Sequence, residues 1–393
     1  MSLLPVTEAQ TLLFSLAPRV ASEILPLAAT ARRWLAEDVI AARTQPAADL
    51  SAMDGYAVRF ADLPGPLRVI GESAAGHPFG GAVAPGEAVR IFTGAVMPPG
   101  TDTVMVQEEA AREGDRVRLT GEGPRHAGRN VRPRGLDFTQ GDVLIARGER
   151  LTPARVALAA AAGHGELAVN RPIRVALAAS GDELVRPGEP VGAGQLPESN
   201  GVMLSALLAP LPVDLIDLGI LPDDLAAMTA SFAQVRADIL VTSGGASIGD
   251  HDLVRPALEA AGATIDFWRI AMRPGKPMMA GRLGEAVVLG LPGNPVSAFV
   301  TATLFLKPLI AAMAGARNPL PPLLTATLGA QLPANDHRED YLRAETRDGR
   351  IHSATHQDSS MLQTLARADC LIRRAPGAPA AAAGDSVEIL TIA

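Results

Sequence analysis

The chain has 393 residues, 48% hydrophobic, 20% charged and 3% aromatic, with a net charge of −7; this exceeds one ordinary core, so two to four domains are expected, and a disordered chain is excluded. Few rings and an acidic balance argue against a nucleic-acid binder, which needs stacking platforms or basic faces. The one cysteine, Cys370, excludes internal disulfides and cysteine metal cages, as suits a reducing cytoplasm.

Residues 1–20 carry Glu8 and lack a basic start, so they do not read as a signal peptide. Apolar residues at helical spacing predict a helix over 7–16, with Thr7 as its cap, and another over 30–40. From 45 to 141 short apolar runs alternate with the turns LPGP, APGE and MPPG, which predicts a β-rich domain. Inside it SAMDGYAV (51–58) sets Asp54-Gly55 between apolar neighbours, where a tight turn is the simplest reading. Two further pieces stand out, TGAVMPPGTDTVMVQEE (93–109) and RHAGRNVRPRGLDFTQGD (125–142). In the second, Arg125, Arg129, Arg132 and Arg134 crowd a glycine-rich loop. It reads either as a solvated loop, with Asp137 as its salt-bridge partner, or as an anion clamp, because guanidinium forks match phosphate oxygens. Thr152-Pro153 then opens an Ala-rich helix that stops at Gly163. The β-rich segment therefore reads as an insertion into a helical domain made from 1–44 and 142–170.

From 171 to 318 strands alternate with helices. Strands are predicted at 173–178, 213–218, 238–241, 264–270 and 286–289, and helices at 201–208 (capped by Asn200), 224–234, 252–261 and 295–314. Lys307-Pro308 interrupts the last, so it reads as a buried amphipathic helix, not a membrane span. The pattern is that of one doubly wound parallel sheet, which binds ligands at the carboxyl ends of its strands. Glycine turns follow three strands: SGDEL, TSGGASIGDHD and LPGNP. Glycine there lets backbone N–H groups approach an anion, and Asp250 and Asp252 stand where a cap or a metal ligand would. After Pro319, Pro321 and Pro322, residues 319–393 read as a small β-barrel of short strands.

Neither GxxxxGK[ST] nor GxGxxG is found, and no HExxH motif offers a zincin site. Gly245-Ala-Ser247-Ile-Gly249 matches the GxSxG of a nucleophile elbow. The helix, however, starts five residues beyond Ser247, and His337, His352 and His356 fall in the barrel, so a serine hydrolase is the weaker reading. Asp182, Glu183, Asp223, Asp224, Asp250 and Asp252 fall at loop ends of one rim. Each alone reads as a cap or solvated surface. Together they repel unless a cation sits between them, and Mg²⁺ with a phosphate-bearing substrate meets that need. Arg273 and Lys276 flank Gly275 in AMRPGKP, where they can meet the phosphates.

SAMDGYAV, TGAVMPPGTDTVMVQEE, GRNVRPRGLDFTQGD, ASGDELV, ESNGVML, TSGGASIGDHD, MRPGKP and LPGNPVSAF occur in this order. In these segments, spread over nearly the whole length, the chain resembles the MoeA family of molybdopterin molybdenumtransferases and the C-terminal moiety of gephyrin-like proteins. The resemblance implies an elongated homodimer of four-domain subunits with its active site between subunits. The domains would be a discontinuous helical one (1–44 and 142–170), an inserted β-rich one (45–141), a molybdopterin-binding α/β one (171–318) and a C-terminal β-barrel (319–393). The implied reaction inserts molybdate into adenylated molybdopterin with Mg²⁺ and releases AMP, the final step of molybdenum cofactor biosynthesis.

The resemblance places catalytic roles on Asp54, Asp137, Glu183, Asp223 (or Asp224) and Asp252. Of these, Glu183, Asp223 and Asp252 would hold Mg²⁺, and Asp54 and Asp137 would arrive from the other subunit. Substrate binding would fall to Thr93, Arg132, Ser180, Gly181, Asn200, Ser243, Gly244, Gly245, Arg273, Lys276, Pro292 and Pro295. A cytoplasmic enzyme is implied, in contact with the molybdopterin adenylyltransferase and molybdoenzyme chaperones and with neither nucleic acid nor membrane. Two departures are mild: Leu253 stands where members often carry an aromatic, and ASGDEL replaces the frequent STGDEL. A non-catalytic scaffold of the same fold would be free to lose the acids, whereas a nicotinamide mononucleotide amidase would share the α/β domain and lack SAMDGYAV.

Overall fold

The computed structural model describes residues 3–244 and 253–392. The chain divides into two compact units, Asp38–Ala146 with Pro153–Leu167, and Met1–Glu37 with Arg147–Thr152 and Ala168–Ala393.

The first unit is built on six strands, β1 (Gly55–Val58), β2 (Leu67–Ser73), β3 (Glu87–Ile91), β4 (Thr103–Val106), β5 (Ala110–Glu113) and β6 (Arg116–Leu119), in the order β4-β1-β3-β2-β6-β5. Successive residues of β1 feed opposite cores: Tyr56 and Val58 pack with Met105, and Ala57 packs with Ile91 and Val104. Asp54-Gly55 is not the tight turn that its composition suggests. Gly55 already pairs with Ile91 and Val106 inside the sheet, and a Cβ on it would sit 2.0 Å from Met105 O.

The helix expected over 30–40 does not form. Arg32 takes a left-handed φ of 70°, Trp34 and Leu35 bridge to Arg150 and Val169, and Val39–Ile40 pairs with Val143–Ile145. Long-range pairing overrides a weak helical period there. The first helix, α1 (Val6–Ser15), has Pro5 at its N-cap, so Thr7 is not its cap. The Ala-rich helix α2 (Pro153–Ala161) forms, and Gly163 follows it at a φ of 101°.

In the second unit a six-stranded sheet comprises β7 (Ile173–Ser180), β8 (Val213–Leu221), β9 (Ile239–Ser243), β10 (Thr264–Arg269), β11 (Pro277–Leu283) and β12 (Ala286–Leu291), in the order β8-β7-β9-β12-β11-β10. Strands β9 and β12 are buried at every position, which is why they read as unbroken apolar runs. The sheet is mixed, not parallel throughout: β11 runs antiparallel to both β12 and β10. A two-residue turn at Gly284-Glu285 folds β11 onto β12, and the apolar pattern carries no separate sign of β11. Helices α3 (Asn200–Leu208), α4 (Leu225–Ala233) and α5 (Val254–Ala260) cover the faces.

Helix α6 (Pro295–Thr301) continues through a π-turn at Ala302–Leu306 into α7 (Lys307–Met313). The π-turn precedes Pro308, which lacks the N–H and crowds the carbonyl four residues back. Pro295–Met313 has the length and hydropathy of a membrane span, yet 89% of its apolar window is buried. It is buried all round, more than the amphipathic helix expected.

The last strands are β13 (Leu324–Thr327), β14 (Glu339–Arg347), β15 (Arg350–Ser353), β16 (Cys370–Arg374) and β17 (Ser386–Thr391), paired β13-β17-β16-β14-β15. Leu328, just past β13, bridges Ile351 of β15, and Gly329 N–H donates to Ile351 O at 2.7 Å. That closes the expected barrel. Helix α8 (Leu362–Arg367) precedes β16.

Candidate active site

Strands β8, β7, β9 and β12 are parallel, so their carboxyl ends share one edge of the sheet. Strand β11 is antiparallel, so its amino end, Lys276-Pro277, stands on that same edge. The rim therefore gathers Ser180 to Glu183, Asp223, Ser243-Gly244, Lys276 and Pro292.

The loops after β7 and β8 hold each other through acids. Asp182 N–H donates to Asp223 Oδ2 at 3.3 Å, and Asp223 N–H donates to Asp182 Oδ1 at 3.0 Å. Asp224 serves the next helix instead, because its Oδ1 accepts from Ala227 N–H at 2.7 Å and caps α4. Glu183 folds back over Gly181, where a Cβ would lie within 2.4 Å of its Oε2. Gly244 has a φ of 96°, and a Cβ there would lie 3.1 Å from Ser180 O. Its N–H donates to Leu291 O at 3.3 Å, so three strand ends are drawn together by backbone alone.

Asn200 was expected to cap α3, but the N-cap is Ser199, without a side-chain bond. The Asn200 amide instead donates to Ser243 Oγ at 2.8 Å and to Gly293 O at 2.6 Å, tying the ends of β9 and β12. Its Oδ1 is buried and has no partner among the described residues, an acceptor left for a ligand or water donor. Beside it a cleft of about 630 Å³ is lined by Ala179, Arg186, Glu198, Ser205, Asp217 and Ser243, among others.

Two predicted cations part ways. Lys276 is half-buried, and its ammonium has no hydrogen-bond or ion-pair partner among the described residues. Arg273, by contrast, is not an open phosphate ligand. It lies in a two-residue strand paired with Glu339-Asp340, and its guanidinium is bonded to Asp340, with Asp336 at 3.7 Å. The Asp340 carboxylate accordingly raises its pKa. Pro292 lies just past β12, and Pro295 opens α6. Gly245, Ser247, Asp250 and Asp252 lie outside the described residues. Among the described residues no group of three or more His, Cys, Asp or Glu side chains forms a metal cluster. The expected triad includes Asp252, and its other members, Glu183 and Asp223, are hard oxygen donors of the kind that suits Mg²⁺.

In the β-rich unit Asp54 and Thr93 meet. Asp54 Oδ1 accepts from Thr93 N–H at 2.7 Å and from Thr93 Oγ1 at 2.8 Å. These two bonds, with a smaller contribution from the Arg90 charge, hold the partly buried Asp54 carboxyl below its ordinary range. Arg90 donates to Gly55 O at 2.8 Å and stacks over Tyr56 and Phe92. Asp137 is exposed and forms no salt bridge among the described residues, so it is not the partner of the basic run. Arg125 pairs with Glu122 at 3.4 Å, whereas the side chains of Arg129, Arg132 and Arg134 have no partner among the described residues.

Two contributors to the rim were not among the expected site residues, although the resemblance loosely matched Ser359 and Ser360 to a serine-containing piece of the family's last domain. Asn294 donates from Nδ2 to Ser359 Oγ at 3.0 Å, and Val296 N–H donates to Ser359 O at 3.0 Å. The asparagine in LPGNP was the only local sign, and its partner lies 65 residues away.

Known proteins match this architecture along its length. The family model for the MoeA N-terminal region (domain I and II) matches residues 4–163, that for a probable molybdopterin binding domain matches 176–312, and that for the MoeA C-terminal region (domain IV) matches 325–392. A molybdopterin molybdenumtransferase of Haemophilus influenzae is 38% identical, with 94% of this chain and 93% of that one covered. One from a Nostoc species is 37% identical, covering 86% and 81%. The crystal structure of a molybdopterin biosynthesis moeA protein from Pyrococcus horikoshii superposes with a TM-score of 0.84 at 27% identity, covering 99% and 100%. The fold is that of a multidomain transferase of molybdenum cofactor biosynthesis. The chain belongs to the molybdopterin molybdenumtransferase family.

Proposed function

We propose that this transferase inserts molybdate into adenylated molybdopterin and releases AMP, coupling phosphoanhydride hydrolysis to dithiolene ligation of molybdenum. The observation that carries the reading is one sheet edge bearing an ammonium without a partner among the described residues (Lys276), glycine-bent strand ends and the linked acids Asp182 and Asp223. A pyrophosphate needs cations and close backbone on one side and, with Mg²⁺, carboxylates on the other.

In this reading Lys276 and the glycine turns grip the phosphates, and Asn200 Oδ1 accepts from the ligand. Glu183 and Asp223, with Asp252, would hold Mg²⁺, which when bound neutralises phosphate charge and polarises the anhydride. Asp54, kept ionised by Thr93, and Asp137 act on the same substrate from the second subunit of a homodimer. The four-domain division at 1–44 with 142–170, 45–141, 171–318 and 319–393, a cytoplasmic location, and contacts with the adenylyltransferase and with molybdoenzyme chaperones belong to the same proposal.

The test is AMP release by the purified chain from adenylated molybdopterin, with molybdate and Mg²⁺ present or omitted. Release that depends on both supports the reading; no release, or release indifferent to molybdate, overturns it. The shared site has its own check. Asp54→Ala and Glu183→Ala proteins, each inactive alone, should regain activity when mixed and allowed to exchange subunits, and failure to do so would place both acids in one chain's site.

A further inference from the structure

Arg343, in β14, is only 1% exposed, the largest side chain so deeply buried among the described residues. A guanidinium keeps its charge, and burying it without a bonded carboxylate is costly unless its donors are satisfied. Here the acceptors are neutral. Nε donates to Gln357 Oε1 at 3.2 Å, Nη1 to Met361 O at 3.2 Å and Nη2 to His356 O at 3.3 Å. Gln357 returns the contact: its Oε1 accepts Arg343 N–H at 3.1 Å, and its amide donates to Arg343 O and to Ala354 O, both at 3.0 Å. Asp358 is the nearby acid, but its Oδ1 is occupied by Ser360 N–H and Oγ, at 2.9 and 2.6 Å.

Every one of those partners lies in 354–361, the segment without regular strand between β15 and α8. An apolar side chain would fill the same volume in the barrel, but it could not fix this segment. What the segment carries is Ser359, whose carbonyl takes a first-turn N–H of α6 and whose hydroxyl takes the Asn294 amide. Asn294 follows Gly293, whose carbonyl is held by Asn200, which also holds Ser243. A continuous run of bonds thus leads from a buried cation in the barrel to the end of β9.

We infer that Arg343 is a positioning residue for the rim: it fixes 354–361 so that Ser359 holds the turn 293–295 in its substrate-binding shape. What that turn binds rests on the function proposed above; the mechanical linkage does not.

The experiment uses the full chain with Arg343→Met, Asn294→Ala and the double substitution, read by hydrogen exchange and by AMP release. Arg343→Met should raise amide exchange in 291–298 by about tenfold while β14 and β16 stay protected, as expected for loss of hydrogen bonds from a charged donor. KM for adenylated molybdopterin should rise by about tenfold with kcat within about twofold, the pattern of lost uniform binding. The double substitution should be no worse than Arg343→Met, because both act through one linkage. Arg343→Lys, which keeps charge and stem without the fork, should fall between, and it substitutes for Arg343→Met if that protein does not fold. Faster exchange in β14 and β16 with 291–298 unchanged, or additive effects in the double substitution, would make Arg343 a prop of the barrel alone and overturn the inference. Should the unaltered chain release no AMP, the proposed function falls, and exchange in 291–298 alone decides the linkage.

Discussion

The unit that holds the sheet edge and barrel differs from the β-rich unit in how it uses charge. In the former, several arginines are paired with acids: Arg171 and Arg174 with Asp238, Arg273 with Asp340, and Arg373 with Glu339 and Glu388. In the latter, Arg129, Arg132 and Arg134 stand exposed and without side-chain partners among the described residues. A chain of net charge −7 has acids available to neutralise them. Three guanidinium groups left open therefore make a local positive field suited to an anion, while the paired ones hold the fold. The β-rich unit pairs arginines too, Arg68 with Glu87 and Arg59 with Asp62, so it is the loop 129–134 that differs, leaving its guanidinium groups available for recognition.

The largest expected effect tests the acid beside that field. Asp54→Asn keeps the shape and the Thr93 bonds possible but removes the charge. Activity should fall by about 100-fold or more, the range of a lost acid–base group. Melting temperature should hold, because Asp54 is only partly buried and an amide oxygen can still accept from Thr93. An unfolded protein, or full activity, would break the assignment. Next in size is Gly55→Ala, whose Cβ would meet Met105 O at 2.0 Å. Either β1 and β4 part or the strand slips, so denaturant unfolding should show a loss of roughly 3 kcal/mol.

The comparison itself is sharpened by neutralising one arginine on each side. Arg273→Gln leaves Asp340, whose side chain is 4% exposed, without its cation. Because Arg273 is half-exposed, the loss should be about 2 kcal/mol, less than for a fully buried pair. Arg132→Gln should leave stability within about 0.5 kcal/mol and weaken binding of adenylated molybdopterin by a few-fold, more at low salt than at high. If Arg132→Gln destabilises and Arg273→Gln weakens binding instead, the division between the regions is reversed.

How much of this was readable from the sequence follows from the same physics. Strands β7, β9 and β12 could be found because a strand buried on both faces reads as a nearly continuous apolar run, broken within β7 only by the exposed Arg174. Strand β11 was missed because PGKPMMAGRL carries turn residues at its start and a glycine inside, and only its neighbours make it a strand. The false helix at 30–40 has the opposite cause: a helical spacing was present, but Trp34 and Leu35 found distant partners. Asn200 looked like a cap from its position and instead spans two strand ends, which no local rule predicts. Asp54 and Thr93 are 39 residues apart, so composition offered only a turn, and the family resemblance alone named both. Arg273 was read as open because Asp340 is 67 positions away.

The smallest effect is the most specific. Thr93→Val keeps the side-chain shape and the backbone N–H that contributes most to the low pKa of Asp54, and removes only the hydroxyl. A hydrogen bond to the ionised form stabilises that form, so losing it moves the Asp54 pKa up, toward the ordinary 3.8. Activity that needs the carboxylate is present above its folded-state pKa and lost as pH falls through it. The acid limb of the pH–rate profile should therefore move to higher pH, with the rate at neutral pH changed by less than about threefold. Arg132→Gln should move the same limb far less, because Arg132 is not among the groups that set the Asp54 pKa. A limb that stays in place in Thr93→Val would mean that the titrating acid belongs to the sheet edge of the other unit.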